Sequence, residues 1–302
     1  MDIDSKQHEH HSTSTAAGSM DIYEGVPFTM QNLTQGNRYI KKGGKLFPCP
    51  SSVNSSTFFD LAPDEEVVTE VHKLCARIVL EYDFSFFTKS RFGVRPAETE
   101  AMRLVSKYTS VPVPRVYHTN FSCEDDGFIE MSFVQGSPLE GKWDTMDEKR
   151  EESICRQTWD LISKIGSVPS QYEGKFQCAA DGSPSKDPLL EDLQSPPRAI
   201  TSDSDLRARI YERYVHFGGR RYEHELPDML PRSDRAVFTH GDIAPRNIMV
   251  DENNNITGII DWEYAGWYPD YWEYAQILRP AFWGDWSMWM ERWSGLPQNN
   301  GI

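Results

Sequence analysis

Three polar residues in the last third of the sequence stand at spacings that suit one kind of chemistry. Asp242 follows a short apolar run, Ala236 to Thr239, through His240 and Gly241. Asn247 lies just before a second run, Ile248-Met249-Val250, and Asp261 closes a third, Ile256 to Ile260. Asp251 to Asn255 is rich in turn formers, so the second and third runs read as a hairpin. A hairpin brings its ends together, so Asn247 and Asp261 should converge, with Asp242 one short loop away facing the same point. One amide oxygen and one carboxylate suit a hard cation such as magnesium, which keeps room in its shell for phosphates and water. The carboxylate of Asp242 would then orient a hydroxyl and take its proton, the rest of the catalysis being positioning and charge neutralisation.

The same spacing, an aspartate, an asparagine five residues on and then a metal-binding aspartate, is that of the kinase catalytic loop. Here Gly241 follows the histidine where protein kinases usually carry arginine. In this form HGDIAPRNIMV…GIIDWEYAGWYPDYWE resembles the aminoglycoside phosphotransferase and choline kinase family, in its fungal small-molecule branch. TKSRFGVRPAETEAMRLVSKYTSVPVPRVY and FIEMSFVQGSPL extend the resemblance over roughly residues 80–290. It implies a two-lobed, protein-kinase-like α+β fold, with ATP and Mg2+ as cofactors. It also implies an enzyme that moves the γ-phosphoryl group to an alcohol group of a small molecule. Lys89 would contact the α/β-phosphates from the third strand of the first lobe. Glu98 on the following helix would pin it, with Glu100 as the rival. Adenine would stack between the lobes against the backbone of Ser132 to Val134.

The sequence departs from protein kinases in two places. No G-x-G-x-x-G precedes Lys89, the turn there being the acidic Glu81-Tyr82-Asp83, and no A-P-E follows Asp261. The first departure keeps open a catalytically silent, pseudokinase-type module that binds nucleotide or metabolite; the second argues against a protein substrate. His240 reads as a structural hydrogen-bonding residue, and Arg246 as the partner of a local carboxylate or a phosphate contact.

Composition narrows the partners. The chain has 302 residues, 38% apolar and 25% charged, and a net charge of −15. That surface repels nucleic-acid phosphates and attracts a cationic acceptor. Neither a run of about 18 apolar residues nor a signal or transit segment is present, so the expectation is a cytoplasmic protein off the membrane, a monomer or weak dimer. The cysteines are odd in number, five, and lack a C-x-x-C pair, which fits reduced thiols better than disulfides or zinc. Seven of the nine tryptophans fall between Trp262 and Trp293, where acids outnumber bases; they either pack helices or wall a pocket for a cationic or aromatic acceptor.

The elements that must position these groups follow from periodicity. Residues 1–22, polar and poor in apolar content, are expected to be a disordered tail. Residues 23–131 read as the first lobe and 132–302 as the second. Residues 23–63 read as irregular, and Asp64 as the cap of a helix carrying Val67, Val68, Val71 and Leu74. Strands are expected at Arg77 to Leu80, at Phe84 to Lys89 (with Lys89 at its end), at Arg115 to His118 and at Phe128 to Val134. Helices are expected from Pro96, over Asp147 to Ile165, and around Leu206, Ile210 and Tyr214, with a long loop over 166–204.

Overall fold

A computed structural model describes residues 24–53, 61–74, 77–83, 85–123, 126–279 and 284–294; the tail expected at 1–22 lies outside them. The first part is an antiparallel sheet of β1 (Val26–Pro27), β2 (Arg38–Lys42), β3 (Lys45–Pro48), β4 (Glu65–Leu74), β5 (Arg77–Tyr82), β6 (Phe86–Phe92), β7 (Val116–Cys123) and β8 (Asp126–Ser132). Its order is β1-β3-β2-β4-β5-β6-β8-β7. Helix α1 (Pro96–Tyr108) crosses between β6 and β7. The mainly helical remainder holds α2 (Glu148–Ile165), α3 (Asp203–His216), α4 (Leu226–Met229), α5 (Trp272–Ile277) and α6 (Trp286–Arg292). The architecture is α+β with two lobes, as the resemblance implied.

Three expectations fail in the first part. Residues 65–74 form a strand, not a helix capped by Asp64. The apolar spacing was helical, but the segment EEVVTEVHKL is rich in β-branched residues, which pack well on a pleated surface. A register shift between Glu70 and His72 breaks the two-residue alternation that would have betrayed the strand. Residues 23–63 are likewise not irregular, since β1, β2 and β3 lie there. The turn before β6 also sits later than expected: Tyr82 still pairs with Phe86, and Asp83 turns the chain at φ 50°.

Helix α1 starts where its sequence favours it. Pro96 supplies a preset φ at the first turn and Glu98 an acid beside the positive end of the helix. Ala97, Ala101, Met102, Leu104 and Val105 are buried, and Ala101, Met102, Leu104 and Val105 share a core with Ile129 and Met131 of β8. Two prolines, Pro112 and Pro114, forbid its continuation. Asp147 caps α2 by accepting from Arg150 N at 3.0 Å, and Ile154, Cys155, Thr158, Leu161 and Ile165 form its buried stripe.

Two small sheets frame the loops that carry the chemistry. β10 (Cys178–Ala179), β14 (Gly266–Pro269) and β11 (Ala236–Thr239) make one; β13 (Ile256–Ile259), β12 (Ile248–Val250) and β9 (Ser137–Pro138) make the other. β12 and β13 are the expected hairpin, with Ile248 opposite Ile259. Of the seven tryptophans between Trp262 and Trp293, Trp262, Trp267, Trp272 and Trp286 are buried in the core, while Trp283 lies outside the described residues. Trp267 meets Phe238 and Tyr172 edge to face, with ring centres 4.9 and 5.2 Å apart. Replacing Trp267 by alanine should therefore lower the unfolding free energy by about 3–5 kcal/mol, read as a fall in the urea midpoint; an unchanged midpoint would contradict this packing.

Candidate active site

Lys89 sits mid-strand in β6, opposite Val79 and Ile129, and not at the strand's end. The strand is an interior one, so the side chain is only 5% exposed. An ammonium there needs partners. Nζ donates to Glu98 Oε1 at 2.8 Å and to Asp261 Oδ1 at 2.6 Å, with Glu263 Oε2 at 3.6 Å. Glu98, rather than Glu100, is thus the partner on α1. Burial acts to lower the pKa of Lys89, but the three carboxylates outweigh it, so the ammonium stays charged. Burial pushes Glu98 up to about 7, and its Oε2 is buried without a hydrogen bond among the described residues. Asp261 is held below the usual carboxylate range: burial alone would raise it, and Lys89 overrides that.

Asp261 reaches Lys89 through its backbone. Its φ is 65°, a left-handed conformation that aspartate tolerates better than most residues. β13 has ended at Ile259, and the chain there turns the carboxylate toward the first lobe. At the other end of the hairpin, the carbonyl of Asn247 accepts from Ile260 N at 2.9 Å, which brings Asn247 beside Asp261.

Asn247 is 3% exposed and donates through Nδ2 to both the carbonyl and the Oδ2 of Asp242, each at 2.9 Å. Arg246 Nη2 also bonds Asp242 Oδ2. The sequence-predicted trio therefore converges, with Arg246 on the carboxylate and not projecting alone. Two oxygens at this point, Asn247 Oδ1 and Asp261 Oδ2, make no hydrogen bond among the described residues, and the Asp261 side chain is 34% exposed. These are hard donors suited to magnesium, two in number, which leaves the remaining positions to phosphates and water. No cluster of three His, Cys, Asp or Glu suited to a metal occurs among the described residues.

The loop carrying Asp242 is fastened from behind. Glu273 of α5 accepts from His240 N at 2.7 Å and from Gly241 N at 3.2 Å. Burial pushes this carboxyl up to about 7. His240 is wholly buried against Trp262, ring centres 4.5 Å apart. Its Nε2 faces the Ile260 carbonyl at 3.1 Å and its Nδ1 accepts from Asp242 N at 3.2 Å. A neutral ring with its proton on Nε2 satisfies both contacts, and burial holds the pKa below its ordinary value. Gly241 stands at φ 83°, where a side chain would be strained and its Cβ would lie 3.0 Å from the Tyr264 carbonyl.

Between the lobes, Ser132 is engaged within the first: its N bonds the Arg115 carbonyl at 2.8 Å and its Oγ accepts from Arg115 N at 2.9 Å. Val134 lies two residues on, buried against Gly258, where a Cβ would sit 2.4 Å from Val134 Cγ1. Its backbone makes no hydrogen bond among the described residues.

Sequence reasoning missed three contributors. Glu263 and Glu273 counted only as members of an acidic stretch, although their fixed distances from Asp261 in DWEYAGWYPDYWE were a usable signal. Arg77, which bonds Glu263, gave no local signal because its partner is 186 positions away.

A buried carboxyl whose folded pKa is raised binds protons in the folded chain that the unfolded chain releases, so stability falls as pH rises through the window between the two values. For Glu273 that window runs from 4.5 to about 7. Glu273→Gln should flatten the loss of stability between pH 5 and 7, removing on the order of 2 kcal/mol of pH dependence. Chemical denaturation at both pH values checks this; parallel wild-type and variant curves would contradict it.

The chain has relatives among known proteins. Residues 86–297 match the phosphotransferase enzyme family, abbreviated APH. A curated relative, clavilactone A biosynthesis cluster protein Y of Ampulloclitocybe clavipes, is 22% identical over 88% of this chain and 77% of its own length. Among solved structures, aminoglycoside phosphotransferase APH(4)-Ia superposes with a TM-score of 0.54 at 16% identity, covering 78% of this chain and 77% of that one. A thermostable mutant of that enzyme, in ternary complex with AMP-PNP and hygromycin B, gives 0.53 at 16% identity over 75% of each chain. The GDP and kanamycin complex of APH(2")-IIia gives 0.52 at 15% identity over 80% of each. At these identities the solved structures establish a shared fold. With the match covering well over half of its length, this chain belongs to the phosphotransferase enzyme family.

Proposed function

We propose that the protein is an ATP- and Mg2+-dependent kinase of small-molecule hydroxyl groups. The observation that carries this reading is the convergence on one point of Asp242, Asn247, Asp261 and the buried Lys89–Glu98 pair. Bound magnesium, held by Asn247 and Asp261, would neutralise charge on the phosphates. Lys89 binds the α/β-phosphates, with Glu98 blocking its other rotamers. The unengaged backbone of Val134 is the place for the adenine edge; Ser132, already bonded to Arg115, marks the end of the sheet behind it. Asp242 receives the proton of the acceptor hydroxyl, whose oxygen bonds the γ-phosphorus as the bond to the β-phosphate oxygen breaks and ADP leaves. Arg246 and Asn247 hold that carboxylate in place while its other oxygen faces the acceptor.

The chain as a whole is acidic, with a net charge of −15, which attracts cationic molecules. This supports an acceptor that carries amines as well as hydroxyls, in keeping with the aminoglycosides in the two ligand-bound neighbours. The buried tryptophans give little support to an aromatic wall, since four of them are spent on packing.

An ATP-consumption screen over hydroxylated amines and metabolites, with magnesium, tests the reading. Asp242→Asn should lower kcat by about 10²–10⁴ while nucleotide still binds; a variant with full rate would rule out the base assignment. Binding of ATP without ADP formation on any acceptor would instead favour a silent binding module. Asp261→Asn should raise the magnesium concentration for half-maximal turnover by at least about tenfold; an unchanged magnesium titration would remove Asp261 from the metal's shell.

A further inference from the structure

Lys89 is shared by three carboxylates, and the third of them has a cation of its own. Glu263, two residues past Asp261, stands 3.6 Å from Lys89 Nζ and is bonded through Oε2 to Arg77 Nη1. Arg77 opens β5, so this ion pair ties the sheet of the first lobe to the loop that carries Asp261. Both side chains are largely withdrawn from water, at 23% and 16% exposed. The path for the guanidinium is left open by Gly93, at φ 85°, where a Cβ would lie 2.7 Å from Arg77 Nη2.

The three carboxylates have unequal duties when a metal-bound triphosphate enters. Asp261 has a free oxygen for the cation, and Glu98 keeps Lys89 oriented from α1. Glu263 has neither duty. Left unpaired, it would compete with the phosphates for Lys89 and repel them across a site with little water to screen the charge. Resting on the reading of this site as a nucleotide site, we propose that Arg77 is a positioning residue for the triphosphate. It neutralises Glu263 and holds that carboxylate to one side, which releases Lys89 to the nucleotide.

This role has a signature that a plain structural tie lacks: removing the second charge should repair the loss of the first. The test is calorimetric titration of the full chain with magnesium and AMP-PNP, for wild type, Arg77→Gln, Arg77→Lys, Glu263→Gln and the double variant Arg77→Gln/Glu263→Gln. Arg77→Gln should weaken binding about tenfold through the uncompensated carboxylate. The double variant should return to within about threefold of wild type, as should Arg77→Lys, which keeps the charge. Equal affinity of Arg77→Gln and wild type would overturn the inference. So would a double variant no tighter than Arg77→Gln, because a lost tie would remain lost. If Arg77→Gln does not fold, the double variant decides alone, a tenfold weakening overturning the inference. Wild-type protein that binds no nucleotide would overturn the phosphotransfer reading and this inference with it, an outcome visible before any variant is made.

Discussion

Much of this molecule is arranged around one buried ammonium. Lys89 sits in the middle of an interior strand, where an unpaired charge would be intolerable. The fold must therefore deliver carboxylates to it from separate parts of the chain. Glu98 arrives on α1, whose apolar stripe is pressed against β8. Asp261 arrives from the far end of the hairpin by way of a left-handed residue. The sheet register, the docking of α1 and the placement of the hairpin are thus linked through a single point charge. Because each partner comes from a different element, the cluster can form only when the two lobes are together.

The loop bearing Asp242 follows a complementary logic. Its backbone amides point away from the site into Glu273, and its histidine is packed neutral against Trp262. Both groups are buried. They hold the loop by its back, so the carboxylate at its tip is presented on a rigid support rather than on a mobile segment. The short strands β11, β12, β13 and β14 are anchored in the main core through Phe238, Ile248, Val250, Ile259 and Trp267. Their work is to set the ends of these loops at fixed separations.

The legible part of this architecture was the part with local signatures. Asp242, Asn247 and Asp261 could be brought together because a hairpin with turn formers at its tip has only one way to fold back. Pro96 announced its helix through first-turn chemistry, and the helix from Asp147 was legible through its apolar period. The strand at 65–74 was misread because a bulge disrupts its alternation, and four apolar residues then fall by chance on a helical period. Nothing near Arg77 in sequence could disclose that it meets Glu263, since ion pairs between distant elements leave no periodic trace. The small strands β1, β2 and β3 were hidden for a related reason: segments as short as VP, RYIKK and KLFP are stabilised by neighbouring strands that the sequence does not show.

The connection between the lobes has a mechanical consequence. Val134 packs onto Gly258, the Gln135 carbonyl accepts from Thr257 Oγ1, and β9 pairs with β12 only a few residues later. The linker is thus stitched to the hairpin that carries Asn247 almost as soon as it leaves the sheet. On the other side, Ser132 and Phe133 are hydrogen-bonded to Arg115 and Ser85. The free length of chain between the two anchored sides shrinks to a single peptide step around Phe133 and Val134. A lever with so short a flexure cannot swing widely without tearing sheet hydrogen bonds. Access to the cleft is then governed by small-angle rocking about that step, with the linker acting as a stiff leaf spring rather than a loose tether.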